Sequence, residues 1–173
     1  MFNIFSKSKK EKVDLGLLKA DMHSHLLPGI DDGSPDLKTS LQLIRGMADL
    51  GYKKLITTPH IMWDMYRNTH AIINEKLALL KEAVAAEGME IELAAAAEYY
   101  IDEYFEDLLK RKEPLLTIGG NMVLVEFSMA QPPLDLKDVL FEMQMLGYQP
   151  VIAHPERYIY LEKNKDFYTE LYD

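Results

Sequence analysis

Apolar segments of strand length alternate with segments of helical period along most of the chain, and few folds accommodate such an alternation. The strand-like segments are LLKADMHSH (17–25), YKKLITTPH (52–60), MEIELAAAAEYY (89–100), NMVLVEFS (121–128) and YQPVIAHPE (148–156). Helices are predicted from the start signal at Ser34 to Gly51, from about His70 to Glu87, around 104–109 as far as Pro114, from Asp135 to Met145, and after Leu161. Repeated β/α units indicate an α/β fold with a parallel sheet or barrel.

Composition limits the chemistry that such a fold can carry. The 173 residues are 48% hydrophobic, which suits one domain with a sizeable core. The chain has no cysteine, so it contains neither a thiolate metal site nor a thiol nucleophile. The same absence fits a reducing compartment, and we expect a cytoplasmic location. The net charge of −9 argues against nucleic acid as a partner, and no apolar run reaches the ~20 residues of a membrane span.

The N-terminal residues differ from the rest in composition. A short apolar tip is followed by four lysines, Lys7, Lys9, Lys10 and Lys12. The tip is too short for the apolar region of a signal peptide. We therefore expect a flexible basic tail at 1–17 and a single folded domain at 18–173.

Each predicted strand ends in a residue that can bind a metal ion. The first strand ends in His23 and His25, with Asp31 and Asp32 in the following loop, and the later strands end in His60, Glu98, Glu126 and His154. Active-site residues of parallel α/β folds gather at the C-terminal ends of the strands. Two carboxylates ~4 Å apart repel each other by about 4 kcal/mol at an effective dielectric of 20, and divalent cations would remove this repulsion. The pattern predicts a metal centre, and histidine mixed with carboxylate suits Mn, Fe or Zn.

Each of these residues, taken singly, also has a structural explanation. A glutamate at a strand end can pair with Arg157, His60 can hydrogen-bond a backbone carbonyl, and Asp32 can be a turn or capping residue. The coincidence at five consecutive strand ends is what favours the metal centre.

The motifs DMHSHLLPGIDDG, ITTPH, AAAEYY, LVEFS and VIAHPERY, in this order, resemble the polymerase and histidinol phosphatase (PHP) superfamily. Within it they are similar to the manganese-dependent protein tyrosine phosphatases of bacterial capsule and exopolysaccharide systems. The resemblance implies a distorted (β/α)7 barrel with up to three Mn²⁺ ions, for which Fe or Zn remains an alternative. It implies one ion on His23, His25 and Glu98, a second on Glu98, Glu126 and His154, and a third on Asp32 and His60.

The resemblance also implies an activity and a partner. The activity is hydrolysis of a phosphomonoester by metal-activated water without a covalent intermediate, with Glu126 and Arg157 as catalytic residues and Arg157 on the substrate phosphoryl group. The implied substrate is the phosphotyrosine tail of a bacterial tyrosine kinase. Two alternatives stay open: a small-molecule phosphatase of the histidinol phosphatase type, and an inactive regulator that binds phosphotyrosine. An oligomer is also left open.

The chain departs from the family pattern near its C-terminus. Family members continue for several strands and contribute an Asp-x-His pair to the metal ions, whereas no such pair follows His154 here. We therefore expect a barrel truncated after about five β/α units. A fragment of a longer protein is favoured over a short inactive form, because an open parallel sheet leaves an unpaired edge strand.

Overall fold

The computed structural model of the chain describes residues 17–160 together with Asp166 and Thr169. The predicted tail, apart from Leu17, and the predicted helix after Leu161, apart from those two positions, lie outside the described residues. The strands are β1 (Ala20–Ser24), β2 (Lys54–Thr57), β3 (His60–Ile61), β4 (Glu92–Ala95), β5 (Glu98–Tyr100), β6 (Met122–Glu126) and β7 (Gln149–Ile152). The helices are α1 (Leu37–Asp49), α2 (His70–Ala86), α3 (Glu103–Lys110) and α4 (Leu136–Met145).

All strand pairs are parallel and follow the chain order. One sheet has the order β1-β2-β4 and the other has the order β3-β5-β6-β7. Each strand is joined to a parallel neighbour by a connection of the βαβ type, and sequential neighbours are the arrangement found in α/β barrels. The predicted parallel α/β fold is confirmed.

Two of the five predicted strands are each broken into two shorter strands. The second prediction is interrupted at Thr58 and Pro59, between β2 and β3, and the third at Ala96 and Ala97, between β4 and β5. Proline cannot donate to a strand ladder, which accounts for the first break. Backbone bonds bridge both breaks, because Ala96 N donates to Thr57 O at 2.9 Å and Glu98 N to Pro59 O at 3.1 Å. Backbone hydrogen bonds therefore continue from the β1-β2-β4 sheet to the β3-β5-β6-β7 sheet.

The helix boundaries agree with the periodicity except at the start of α1. The predicted start signal is Ser34, whereas the N-cap is Asp36, whose carboxylate accepts a bond from Thr39 N at 2.7 Å. Ser34 is buried instead, and its hydroxyl donates to the Asp36 carbonyl at 2.9 Å. A carboxylate satisfies the free N–H groups of a helix start as well as a hydroxyl does, so the sequence alone did not separate the two.

The core lies between the sheets and the helices. Its largest fully buried side chains include Tyr99, Phe105, Phe127, Leu55 and Ile73. On β5, Tyr99 packs against Phe105 of α3 at 5.3 Å between ring centroids, and the alternation of a strand turns the neighbouring Glu98 to the opposite face. None of the described helices is long and apolar enough to cross a membrane.

Candidate metal centre

The residues predicted as metal ligands meet on one side of the sheets. His60 and Glu98 are direct partners in the β3–β5 register, and Glu126 ends β6. His23 lies on β1, and His25 follows that strand directly. His60 and Glu98 begin the short strands β3 and β5, directly after β2 and β4, rather than ending strands as the sequence predicted. They are neighbours because these two parallel strands pair in register.

Glu98 is at the centre of the group. It is completely buried, and both of its carboxylate oxygens face histidines. Oε1 lies 3.4 Å from His154 Nε2 and 3.7 Å from His23 Nε2, and these two nitrogens are 3.1 Å apart. Oε2 lies 3.2 Å from His25 Nε2 and 3.5 Å from His60 Nδ1. Glu98 thus joins two sets of ligand atoms, each compact enough to surround one ion.

A third set of ligand atoms lies beside the loop after β1. It consists of His25, Asp31 and Asp32. The Asp32 side chain is exposed, with Oδ1 3.6 Å from His60 Nε2 and 3.7 Å from His25 Nδ1. By distance, His23 groups with His154, and His25 groups with His60. This differs from the division of ligands among ions that the family resemblance implies, and that division stays a prediction.

Glu126 and Arg157 lie at the edge of the group. The nearest histidine atom to Glu126 is His60 Nδ1, at 3.9 Å from Oε2. Burial, and secondly the charge of Glu98, raise the pKa of Glu126, while the charge of Arg157 acts in the opposite direction. Arg157 is exposed, and its Nε lies 3.8 Å from Glu156 Oε1. A guanidinium in this position is free to meet an anion that arrives from solvent.

His154 has a strained backbone. Its φ of 48° is left-handed, and it is followed by a single 3₁₀ turn, Pro155–Arg157. Non-glycine residues rarely adopt this conformation, and it is enriched at functional sites. The turn brings His154 and Arg157 to the same end of β7.

Two contacts that sequence reasoning missed orient the histidines. Thr58 is fully buried, and its Oγ1 lies 2.6 Å from His23 Nδ1. Asp31 Oδ2 lies 2.7 Å from His25 Nδ1, and the same carboxylate accepts bonds from Gly33 N and His60 N. In both histidines the bonded nitrogen is Nδ1, and Nε2 faces Glu98. Metal-binding histidines are characteristically oriented by such hydrogen bonds.

The electrostatics of the group follow from burial and these bonds. Burial alone would lower the pKa of His25, but its bonds to Asp31 and Glu98 outweigh burial and raise the pKa to about 10. Burial opposes the ionised form of Glu98, yet the bond from His25 and the charges of His23 and His60 lower its pKa. Burial lowers the pKa of His23. The neighbouring imidazoles therefore favour the ionised form of the Glu98 carboxylate.

The buried atoms without hydrogen-bond partners fit a bound cation. Among the described residues these are Glu98 Oε1, His60 Nδ1, Asp21 Oδ2 and Ser24 Oγ. An unpaired buried polar atom costs about 1–3 kcal/mol. The first two lie within the group, and both are atom types that coordinate divalent ions. The residues present therefore fit a metal centre.

Residues 19–173 match the family model described as "Capsular polysaccharide synthesis, CpsB/CapC". The chain belongs to the CpsB/CapC family. The family resemblance that the motifs indicated is therefore confirmed.

Two curated relatives are similar over most of this chain. "Tyrosine-protein phosphatase YwqE" of Bacillus subtilis is 33% identical over 139 residues, which are 79% of this chain and 54% of that protein. "Tyrosine-protein phosphatase CpsB" of Streptococcus pneumoniae is 32% identical over 154 residues, covering 88% of this chain and 63% of that protein.

A solved structure is similar as well. Its report covers YwqE of B. subtilis and CpsB of S. pneumoniae and calls them metal-dependent tyrosine phosphatases. The match has a TM-score of 0.80 and 29% identity, and it covers 88% of this chain and 62% of the solved chain. The chain thus spans between about one half and two thirds of the length of these relatives.

Proposed function

We propose that the chain is the metal-binding part of a protein tyrosine phosphatase that removes phosphate by hydrolysis. The observation that carries this proposal is the convergence of four histidines on the buried carboxylate of Glu98. Similarity to relatives that are named tyrosine phosphatases supports the choice of substrate. We propose further that it acts in the cytoplasm on the phosphotyrosine tail of a bacterial tyrosine kinase in capsule or exopolysaccharide regulation.

Seven residues would hold the ions, for which Mn²⁺ is proposed and Fe or Zn is the alternative. They are His23, His25, Asp32, His60, Glu98, Glu126 and His154. When bound, divalent ions lower the pKa of a coordinated water and neutralise charge on a phosphoryl group. Through their bonds to Nδ1, Thr58 and Asp31 would favour the metal-bound form of His23 and His25, in which Nε2 carries no proton.

Arg157 and Glu126 have separate roles in the proposed reaction. The guanidinium of Arg157 donates hydrogen bonds to the phosphoryl oxygens, whose negative charge increases toward the transition state. Glu126 would add a further carboxylate to the metal centre beside His60. The products are inorganic phosphate and the tyrosine phenol, which is a better leaving group than an alkoxide and needs little help from an acid.

The direct test is release of phosphate from para-nitrophenyl phosphate by the chain as it exists, with Mn²⁺ and after treatment with EDTA. We expect hydrolysis only with metal. Glu126→Gln should abolish turnover while leaving the circular dichroism spectrum unchanged. Glu87→Gln, at an exposed pair with Arg45, is the matched control and should retain activity.

Substrate comparisons separate the proposal from its alternatives. Faster hydrolysis of histidinol phosphate than of a phosphotyrosine peptide would favour a small-molecule phosphatase. Binding of the phosphopeptide without release of phosphate would favour an inactive regulator. If the metal-loaded chain neither binds nor cleaves any phosphorylated compound, the proposal is refuted.

A further inference from the structure

The loop between β3 and α2 places aromatic and cationic side chains beside the metal centre. We call residues 62–68, with the sequence MWDMYRN, the rim loop. It begins two residues after His60, one of the proposed metal ligands. Its Trp63 is 37% exposed and its Met65 63% exposed, so these side chains do not serve the core.

The rim loop is held in place by hydrogen bonds at several points. Met62 and Tyr66 form an antiparallel bridge, with bonds of 3.1 Å and 2.6 Å between their backbones. Asn68 is buried, and its amide donates to the carbonyls of Ile30 and His60 at 2.9 and 2.8 Å. The backbone N–H of Trp63 donates to Asp102 at 2.9 Å. A loop fixed in this way loses little entropy when it binds a partner.

Aromatic stacking connects the rim loop to the metal centre and to α3. The ring of Tyr66 lies parallel to that of His60, with an interplanar angle of 11° and centroids 5.5 Å apart. On the other side, Trp63 stacks on Tyr104 at 4.1 Å. The loop thus forms a wall that starts at a proposed ligand and runs outward over α3.

Arg67 is oriented by this wall but not neutralised by it. Its Nε donates to the Trp63 carbonyl at 2.9 Å, and its guanidinium carbon lies 5.6 Å from the centre of the Trp63 ring. In the part of the chain that the structure describes, its Nη groups have no ion-pair partner. A guanidinium that is stacked and held through Nε presents its remaining donors in a fixed direction, which suits a carboxylate.

We propose that the rim loop binds the peptide around the phosphotyrosine and that Arg67 binds an acidic side chain of that peptide. This inference rests on the proposed function, because the phosphorylated residue must be at the metal centre for its neighbours to reach the loop. The adjoining cavity of about 450 Å³ is lined by Trp63, Tyr104 and the carboxylates Asp64, Asp102 and Glu103. These carboxylates repel an acidic side chain of the peptide from the cavity. We therefore assign that side chain to Arg67.

The test measures binding of short peptides that carry a non-hydrolysable phosphonate analogue of phosphotyrosine to the Mn²⁺-loaded chain. The residues beside the analogue are Glu, Gln or Lys, and affinity is read by fluorescence anisotropy. We expect the Glu peptide to bind about three- to ten-fold more tightly than the Gln peptide, as for an exposed but preoriented ion pair. The Lys peptide should bind most weakly.

Substitutions test whether Arg67 is the source of the preference for the Glu peptide. Arg67→Gln should remove the difference between the Glu and Gln peptides while leaving the affinity for free phosphotyrosine unchanged. Arg67→Lys should restore only part of it, because lysine lacks the planar fork of donors. Arg45→Gln, on α1 at an exposed pair with Glu87, is the matched control and should keep the full preference.

The outcomes separate this inference from the proposed function. Equal affinities for the three peptides, a preference for Lys, or a Glu preference that survives Arg67→Gln would each overturn the inference and leave the proposed function standing. If neither free phosphotyrosine nor any peptide binds the loaded chain, both are refuted. A doubly phosphorylated peptide that binds better than the Glu peptide only when Arg67 is intact would support the same anion site, with phosphate as its occupant.

Discussion

Thr58→Val should weaken metal binding while leaving the fold in place. The substitution replaces a buried hydroxyl by a methyl group of similar size and removes the 2.6 Å contact with His23 Nδ1. His23 then has no bond that holds its proton on Nδ1, so its Nε2 lone pair is less often available. The change does not alter any residue that we propose as a ligand.

The expected magnitude follows from that contact. A partly buried N–H left without an acceptor costs about 1–3 kcal/mol, and loss of a bond that orients a metal-binding histidine typically weakens metal affinity about 10- to 100-fold. The two figures agree, because a tenfold change corresponds to about 1.4 kcal/mol. We therefore expect Mn²⁺ affinity to fall by one to two orders of magnitude.

Calorimetric titration of the metal-free chain with Mn²⁺ measures this effect, and imidazole ¹⁵N NMR shows which nitrogen of His23 carries the proton. Thr57→Val is the matched control. Thr57 is equally buried, but its hydroxyl bonds Leu26 N at 2.9 Å and Ser24 O at 2.8 Å rather than a histidine. It should lower the free energy of unfolding by about 1–3 kcal/mol without changing metal affinity. Equal metal affinities for the two variants would refute the assigned role of Thr58.

Three further predictions concern stability and metal binding. Removal of metal by EDTA should lower the melting temperature, because Mn²⁺ at 100 times its Kd adds about 2.7 kcal/mol, or roughly 5–11 °C for a chain of this size; an unchanged melting temperature in calorimetry would contradict a metal centre. Gly33→Ala should weaken Mn²⁺ binding in the same titration, because a Cβ at Gly33 would lie 2.3 Å from His25 Cβ, whereas Gly46→Ala, which meets nothing within 4 Å, should stabilise α1 by about 0.5–1 kcal/mol. Burial lowers the pKa of His70, which bonds Tyr99 OH at 2.8 Å, so the unfolded state binds its proton more readily than the folded state. The stability contributed by neutral His70 is therefore complete above the unfolded pKa of about 6.5 and falls as the pH drops below it. In urea unfolding between pH 7.5 and 5, the free energy of unfolding of His70→Gln should decline less than that of the parent chain. Equal declines would exclude this contribution.

Local pattern was sufficient to predict a parallel α/β fold and to propose the candidate ligands. Alternating apolar and amphipathic segments predicted the parallel α/β fold, because the spacing of apolar residues within each segment indicates whether it forms a strand or a helix. Strand alternation placed His23 and His25 on one face. The position of Glu98 and Glu126 at strand ends indicated convergence without any knowledge of distances.

Other features depended on residues that the pattern does not connect. The histidine partners of Asp31 and Thr58 are known only once the loop after β1 folds back and β2 lies beside β1. The grouping of His23 with His154 joins positions 131 residues apart. Likewise, the contacts with Trp63 that orient the Arg67 guanidinium appear only in the packed structure.

The physical reason is that a side chain's type limits what it can bind, whereas its partners depend on how the whole chain packs. Imidazole and carboxylate groups at strand ends can be read as metal ligands from their chemistry alone. Which lone pair faces the ion, which hydroxyl holds the tautomer and which arginine stays unpaired are properties of contacts between distant segments. Only the packed sheets and loops decide them.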